Sequence, residues 1–176
     1  MIVIRMDFKS KKIKHDFYND PKKIMVCNHC LPFVDGLWLH FILNLANISH
    51  FIYVGYCFSY ENSWIRPIRF SNFIEKETCH LNSLQSCCCV IFPSGGKIKW
   101  KSGFFYLARN TNIPLYIARL NYSNGKIEIL ERISLNKEEE FSNVKSHMVA
   151  HLRMKSLWWM YILRWFGYGD ESNFST

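Results

Sequence analysis

Short apolar runs separated by longer, helix-like stretches set the rhythm of this chain. Lys23-Ile-Met-Val-Cys27, His50-Phe-Ile-Tyr-Val54, Ser86-Cys-Cys-Cys-Val-Ile-Phe92 and Ile113-Pro-Leu-Tyr-Ile-Ala-Arg119 are short, apolar and bounded by polar or turn residues, which predicts strands. Between them, Gly36–Ala46, Asn62–Ile68, Leu81–Gln85 and Gly103–Asn110 predict helices. Lys126–Leu130 and Arg132–Leu135 predict a later edge strand. Lys137–Arg153 then predicts a helix whose first turn, Glu138-Glu139-Glu140, suits the positive end of its dipole. Strands alternating with helices imply an α/β fold with a mixed, mainly parallel sheet flanked by helices. No internal repeat or Gly/Ser/Pro linker divides the chain, so residues 1–176 read as one domain.

Composition narrows the class. A chain of 176 residues that is 49% hydrophobic and 16% aromatic is no disordered tail. Lys and Arg number 22 against 14 Asp and Glu, a net charge of +8, so an anionic partner is expected. Phosphate-bearing metabolites, anionic lipid and nucleic acid all fit. The start, Met1-Ile-Val-Ile-Arg-Met-Asp, turns charged too early for a signal peptide. No run approaches the roughly 20 apolar residues of a spanning helix. Leu37 to Phe58 comes nearest, but His40, Asn44, Asn47, Ser49 and His50 interrupt it. The expected location is the cytoplasmic face of a membrane, held peripherally, with the 7 Cys as thiols.

In sheets of this class the chemistry gathers beyond the carboxyl ends of the strands. Two segments follow predicted strands there. In Asn28-His-Cys-Leu-Pro-Phe-Val-Asp-Gly36, His29 can act as a general base and Asp35 can fix its tautomer. On one continuous helix the two would stand about 120° apart. Pro32 instead argues for a turn, with His29 ending the strand and Asp35 starting the helix, where they can converge. Equally, Asp35 can simply cap a helix from Gly36 while His29 is an ordinary loop histidine. In Phe92-Pro-Ser-Gly-Gly-Lys97, Gly95 and Gly96 allow backbone N–H groups to face an anion or a developing oxyanion. A sharp turn without a ligand fits the same residues. The spacing is not that of a Walker loop.

Together, in order and separation, these segments resemble the glycerolipid acyltransferase family, of the lysophosphatidic acid and glycerol-3-phosphate acyltransferase type. Asn28-His29…Asp35 is similar to its Asn-His-x4-Asp block, and Phe73-Ile-Glu-Lys76 to its second, acceptor-phosphate block. Phe92-Pro-Ser-Gly-Gly96 resembles Phe-Pro-Glu-Gly, and Lys101-Ser-Gly-Phe-Phe-Tyr-Leu-Ala108 the Lys-x-Gly-x-x-x-Leu-Ala helix after it. Ile113-Pro114 resembles the fourth block. The likeness covers roughly residues 20–120. Two departures stand out: five residues separate His29 from Asp35 where the family has four, and Ser94 replaces the usual Glu. The Pro-Ser-Gly-Gly version resembles the plastid glycerol-3-phosphate enzymes.

The resemblance implies transfer of a fatty acyl group from a thioester, acyl-CoA or acyl-carrier protein, to a hydroxyl of a glycerol-phosphate or lysophospholipid acceptor. His29 and Asp35 would be catalytic. Asn28, Lys76, Ser94, Gly95, Gly96 and Lys97 would bind substrate. The reaction so implied needs no metal, no further cofactor and no cysteine nucleophile. A relative that has lost activity would share the same blocks.

Three other features call for a reading. Residues 153–168, with Leu157-Trp-Trp-Met-Tyr-Ile-Leu163 at their centre, suit an interfacial helix at a bilayer and equally a closing core helix. Cys27-Asn-His-Cys30 with Cys87, Cys88 and Cys89 offers thiolates for zinc but has no second Cys-x-x-Cys pair. His147-x-x-x-His151 puts two imidazoles on one helix face without the Glu of a metalloprotease motif, which reads as a solvated face. The alternative function is a basic nucleic-acid-binding domain, with Lys9, Lys11, Lys12, Lys14, Lys22 and Lys23 as its footprint, although no nucleic-acid motif accompanies them.

Overall fold

Residues 24–27 lose all contact with solvent on both faces of the sheet, as the continuous apolar run demands of a central parallel strand. The computed structural model describes residues 5–28, 34–54, 58–61, 64–67, 73–93, 100–121, 124–136, 138–152, 154–155 and 174–175. The elements in chain order begin β1 (Arg5–Phe8), α1 (Lys11–Asn19), β2 (Lys22–Cys27), α2 (Val34–Leu45) and β3 (His50–Val54). Next come β4 (Phe58–Glu61), β5 (Trp64–Pro67), α3 (Phe73–Ser83), β6 (Cys87–Ile91) and α4 (Gly103–Thr111). The chain continues through β7 (Leu115–Asn121), β8 (Lys126–Ile133) and α5 (Phe141–Leu152), with a short parallel pair β9 (Met154–Lys155) and β10 (Phe174–Ser175).

One sheet takes the order β1-β8-β7-β2-β6-β3-β4-β5. Its centre is parallel: β2 pairs with β6 and β7, and β3 with β6. β4, β5 and β8 join antiparallel to their predecessors, and β1 lies parallel against β8. This is the mixed, mainly parallel α/β architecture expected. Alternation divides the core in two. Ile24, Val26, Cys87, Cys89, Leu115 and Ile117 face α3, α4 and α5, whereas Met25, Cys27, Cys88, Val90, Tyr116 and Ala118 face α1 and α2. Asn47 and Asn112 follow α2 and α4 in the left-handed conformation, ending each helix as a short polar side chain permits.

Several boundaries differ from the pattern-based expectation. Within the stretch expected as the helix Asn62–Ile68, Trp64–Pro67 is a strand paired antiparallel with Phe58–Glu61, as a short aromatic and β-branched run prefers. Of the helix expected at Leu81–Gln85, Leu81 to Ser83 form the last turn of α3, and Leu84 and Gln85 lie beyond its end. Arg132–Leu135 is not a separate strand, because β8 runs on to Ile133, and β1 covers the edge it was expected to form. The acidic triplet precedes α5 instead of making its first turn, and the Glu140 carbonyl accepts the Val144 N–H at 3.3 Å. Met154 and Lys155 are strand, not the start of an interfacial helix, and residues 156–173 lie outside the described residues.

A polar chain threads α2 and β3. His50 Nδ1 lies 2.7 Å from the Ile48 carbonyl, His40 Nδ1 lies 2.8 Å from His50 Nε2, and Asn44 Nδ2 lies 3.0 Å from His40 Nε2. The chain closes when both imidazoles are neutral with hydrogen on Nδ1: each Nδ1 donates and each Nε2 accepts. Burial pushes the His50 pKa down, outweighing the bond to Ile48. The unfolded chain therefore takes up a proton near its ordinary pKa of about 6.5 that the folded chain refuses. Stability is expected to be intact above that pH and to fall as pH drops through it toward the lower folded value. Thermal midpoints measured between about pH 8 and pH 5 check this. The acid slope should be shallower in His50→Phe; an unchanged slope would count against it.

Candidate functional site

The carboxyl edge of the parallel strands is where the sequence motifs converge. Val26 of β2 pairs with Ile91 of β6, and Cys27 pairs with Ala118 of β7, so the chain leaves β2 and β6 on adjacent strands at the same edge. Asn28, the first residue beyond β2, is 2% exposed and locks the strand end to β7. Its Oδ1 accepts the Leu120 N–H at 2.6 Å, and its Nδ2 donates to the Leu120 carbonyl at 3.3 Å. An amide is the side chain that can satisfy both backbone groups at once.

Asp35 stands in the first turn of α2, so it lies within the helix rather than capping one that starts at Gly36. It is fully buried. Its charge is close enough to Cys27 to help burial and Cys88 raise that thiol's pKa well above the ordinary range. The carboxylate thus sits at the end of β2, where the N-terminal pole of α2 favours a negative charge.

Two more helix N-termini point to this edge. Phe92 and Pro93 follow β6 as buried residues, and the Pro93 carbonyl accepts the Lys101 N–H at 2.8 Å, closing the loop that leads to α4. At the far edge, Lys22 Nζ donates to the carbonyls of Leu81 and Asn82 at 2.9 and 3.1 Å, a cation at the C-terminal pole of α3. The first turns of α3, with exposed Lys76, are therefore at the same edge as Asn28 and Pro93. N-terminal helix poles at one edge of the sheet suit an anionic group.

Of the residues expected at the site, Asn28, Asp35 and the first turns of α3 that carry Lys76 lie at the carboxyl edge of the sheet, and the Asn28 amide is committed to Leu120. His29, Ser94, Gly95, Gly96 and Lys97 lie outside the described residues, as does Cys30. Cys87 and Cys89 face one side of the sheet and Cys88 the other, which keeps the three from converging on one ion. Burial pushes the Cys88 thiol up to about 12, so it stays protonated at neutral pH. The basic footprint of the alternative reading is thinned as well: Lys23 is 6% exposed beneath α1, and Lys22 is engaged with α3.

α2 also carries an apolar ridge that its sequence pattern does not single out. Leu37, Phe41 and Leu45 are 53%, 53% and 64% exposed and stand four residues apart on α2. They share one face of the helix that Asp35 begins. Their spacing was visible, but the opposite face is equally apolar, so periodicity gives no cue to which face is open. Among the described residues no helix is long and apolar enough to cross a membrane. No family model matches the chain, and neither a curated protein nor a solved structure does.

Proposed function

We propose that the protein is a peripheral O-acyltransferase of the glycerolipid type, moving a fatty acyl group from a thioester to a hydroxyl of a glycerol-phosphate or lysophospholipid acceptor. The observation that carries this reading is the buried Asp35 carboxylate in the first turn of α2, the helix that follows β2 and Asn28. His29 takes the acceptor hydroxyl proton while Asp35 steadies the imidazolium. The alkoxide attacks the thioester carbonyl; the new C–O bond forms and the C–S bond breaks. The leaving thiolate takes the proton back from His29, so no acyl-enzyme forms. N–H groups of Gly95 and Gly96 stabilise the oxyanion, with Ser94 beside them, and Lys76 and Lys97 neutralise the acceptor phosphate.

The ridge of Leu37, Phe41 and Leu45 supports contact with a lipid surface near this edge. The test feeds purified full-length protein with labelled acyl-CoA or acyl-carrier protein and a panel of lysophospholipids and glycerol 3-phosphate. Thioester-dependent label should appear in one acceptor class. Absence of transfer to every acceptor, from either donor, would overturn the reading.

A further inference from the structure

Two strands from β2, on the face that α5 covers, β8 carries a cluster for which acyl transfer has no use. His147 and His151 are four residues apart on α5, so both look the same way. Each brings its Nε2 to the same oxygen of Glu131 on β8, at 2.9 and 3.1 Å. Their rings lie 4.9 Å apart between centroids. One ligand atom from each of the three residues falls within 4.8 Å of the others.

Glu131 reaches α5 only through an irregularity in β8. Ile127 and Ile129 point to the α1 and α2 side of the sheet, and strict alternation would send Glu131 there too. Instead, Ile117 pairs with Glu131 and Ala118 with Ile129, leaving Leu130 as an extra residue. This bulge turns Glu131 onto the face of Ile117, toward α5. Bulges of this kind commonly re-aim a side chain at a site.

We propose that Glu131, His147 and His151 form a binding site for a divalent transition-metal ion, with zinc the best match and water completing its shell. Two imidazoles and one carboxylate make a donor set that zinc favours, whereas magnesium and calcium prefer oxygen alone. Zinc bonds of about 2.0–2.1 Å place tetrahedral donors roughly 3.3 Å apart, so the carboxylate oxygen and each nitrogen need spread only slightly. The side chains of His147, Glu131 and His151 are 47%, 34% and 27% exposed, leaving room for that adjustment. Glu131 and His147 also line an open groove of about 480 Å³ with Arg132, Ser134 and Asn143, so water reaches the remaining coordination position.

The site is independent of the acyltransferase reading and is tested by binding alone. Full-length protein stripped with chelator is titrated with Co²⁺, and separately with Zn²⁺ against a chromophoric chelator. One Co²⁺ per chain should bind with weak visible d–d bands and without the intense thiolate charge-transfer band that the cysteines would give. His147→Ala and His151→Ala should each weaken Zn²⁺ binding about 100-fold or more, at least the loss typical of outer-shell changes. Should either alanine variant fail to fold, His151→Gln and Glu131→Gln keep size and polarity and should show a comparable loss. No stoichiometric binding, a thiolate spectrum, or affinity unchanged in the variants would overturn the site.

Discussion

His29→Ala is expected to cut turnover about 10²–10⁴-fold, the usual worth of a general base. The loss belongs in kcat rather than in the acceptor KM, because the imidazole acts on the proton as the new bond forms and adds little to ground-state binding. Steady-state rates over a range of acceptor concentrations separate the two. The variant should unfold at the same temperature as the parent chain, since Asn28 ties the end of β2 to Leu120. Turnover equal to the parent's in a folded His29→Ala protein would remove this residue from the chemistry and, with it, the role assigned to Asp35.

Phe17→Ala should be the costliest packing change on the α1 side of the sheet, about 3–5 kcal/mol in equilibrium unfolding. Phe17 is fully buried. Tyr116 meets its ring edge-on at 5.1 Å, Phe8 stands 5.5 Å away, and the Lys23 ammonium lies 4.8 Å above the centroid. Deleting the ring opens a cavity and strips a buried cation of the aromatic face that compensates its lost hydration. The neighbouring Asp20, whose carboxylate accepts from Tyr116 at 2.6 Å and Arg132 at 2.8 Å, lends Lys23 a favourable charge that remains in the variant. Those bonds outweigh burial and hold the Asp20 pKa below the usual range. Phe17→Leu fills part of the space and should lose less. A change below about 1 kcal/mol in Phe17→Ala would mean that α1 contributes little to holding this face closed.

The strands most legible in the sequence are those buried on both faces. Lys23–Cys27, the buried His50–Ile52 of β3 and the cysteine-rich run of β6 need no alternation, and their apolar density alone marks them. The N-terminal β1 and α1 were not legible for the opposite reason. Lys11, Lys12 and Lys14 face solvent, and Phe17 is the buried residue of that helix, so one apolar side chain carries the signal. β5 reads as a helix, and β4 as no element, because Trp64, Ile65 and Ile68 are too few to fix a period.

At the site, the edge that gathers Asn28, Asp35 and Lys76 follows from strand order, which motif order anticipated. The Glu131 partner of the two histidines did not follow from any pattern. Its face is decided by the extra Leu130, and a one-residue shift reverses every later side chain.

The outermost pairing of the sheet joins Arg5 to Lys126 and Phe8 to Ile129. An emerging chain must therefore leave its first strand without a partner until β8 has been synthesised. Contacts so distant in sequence close slowly, after the loop entropy between them has been overcome. The central strands can assemble first, and the N-terminal arm docks last, as a late step in a folding order written into the topology.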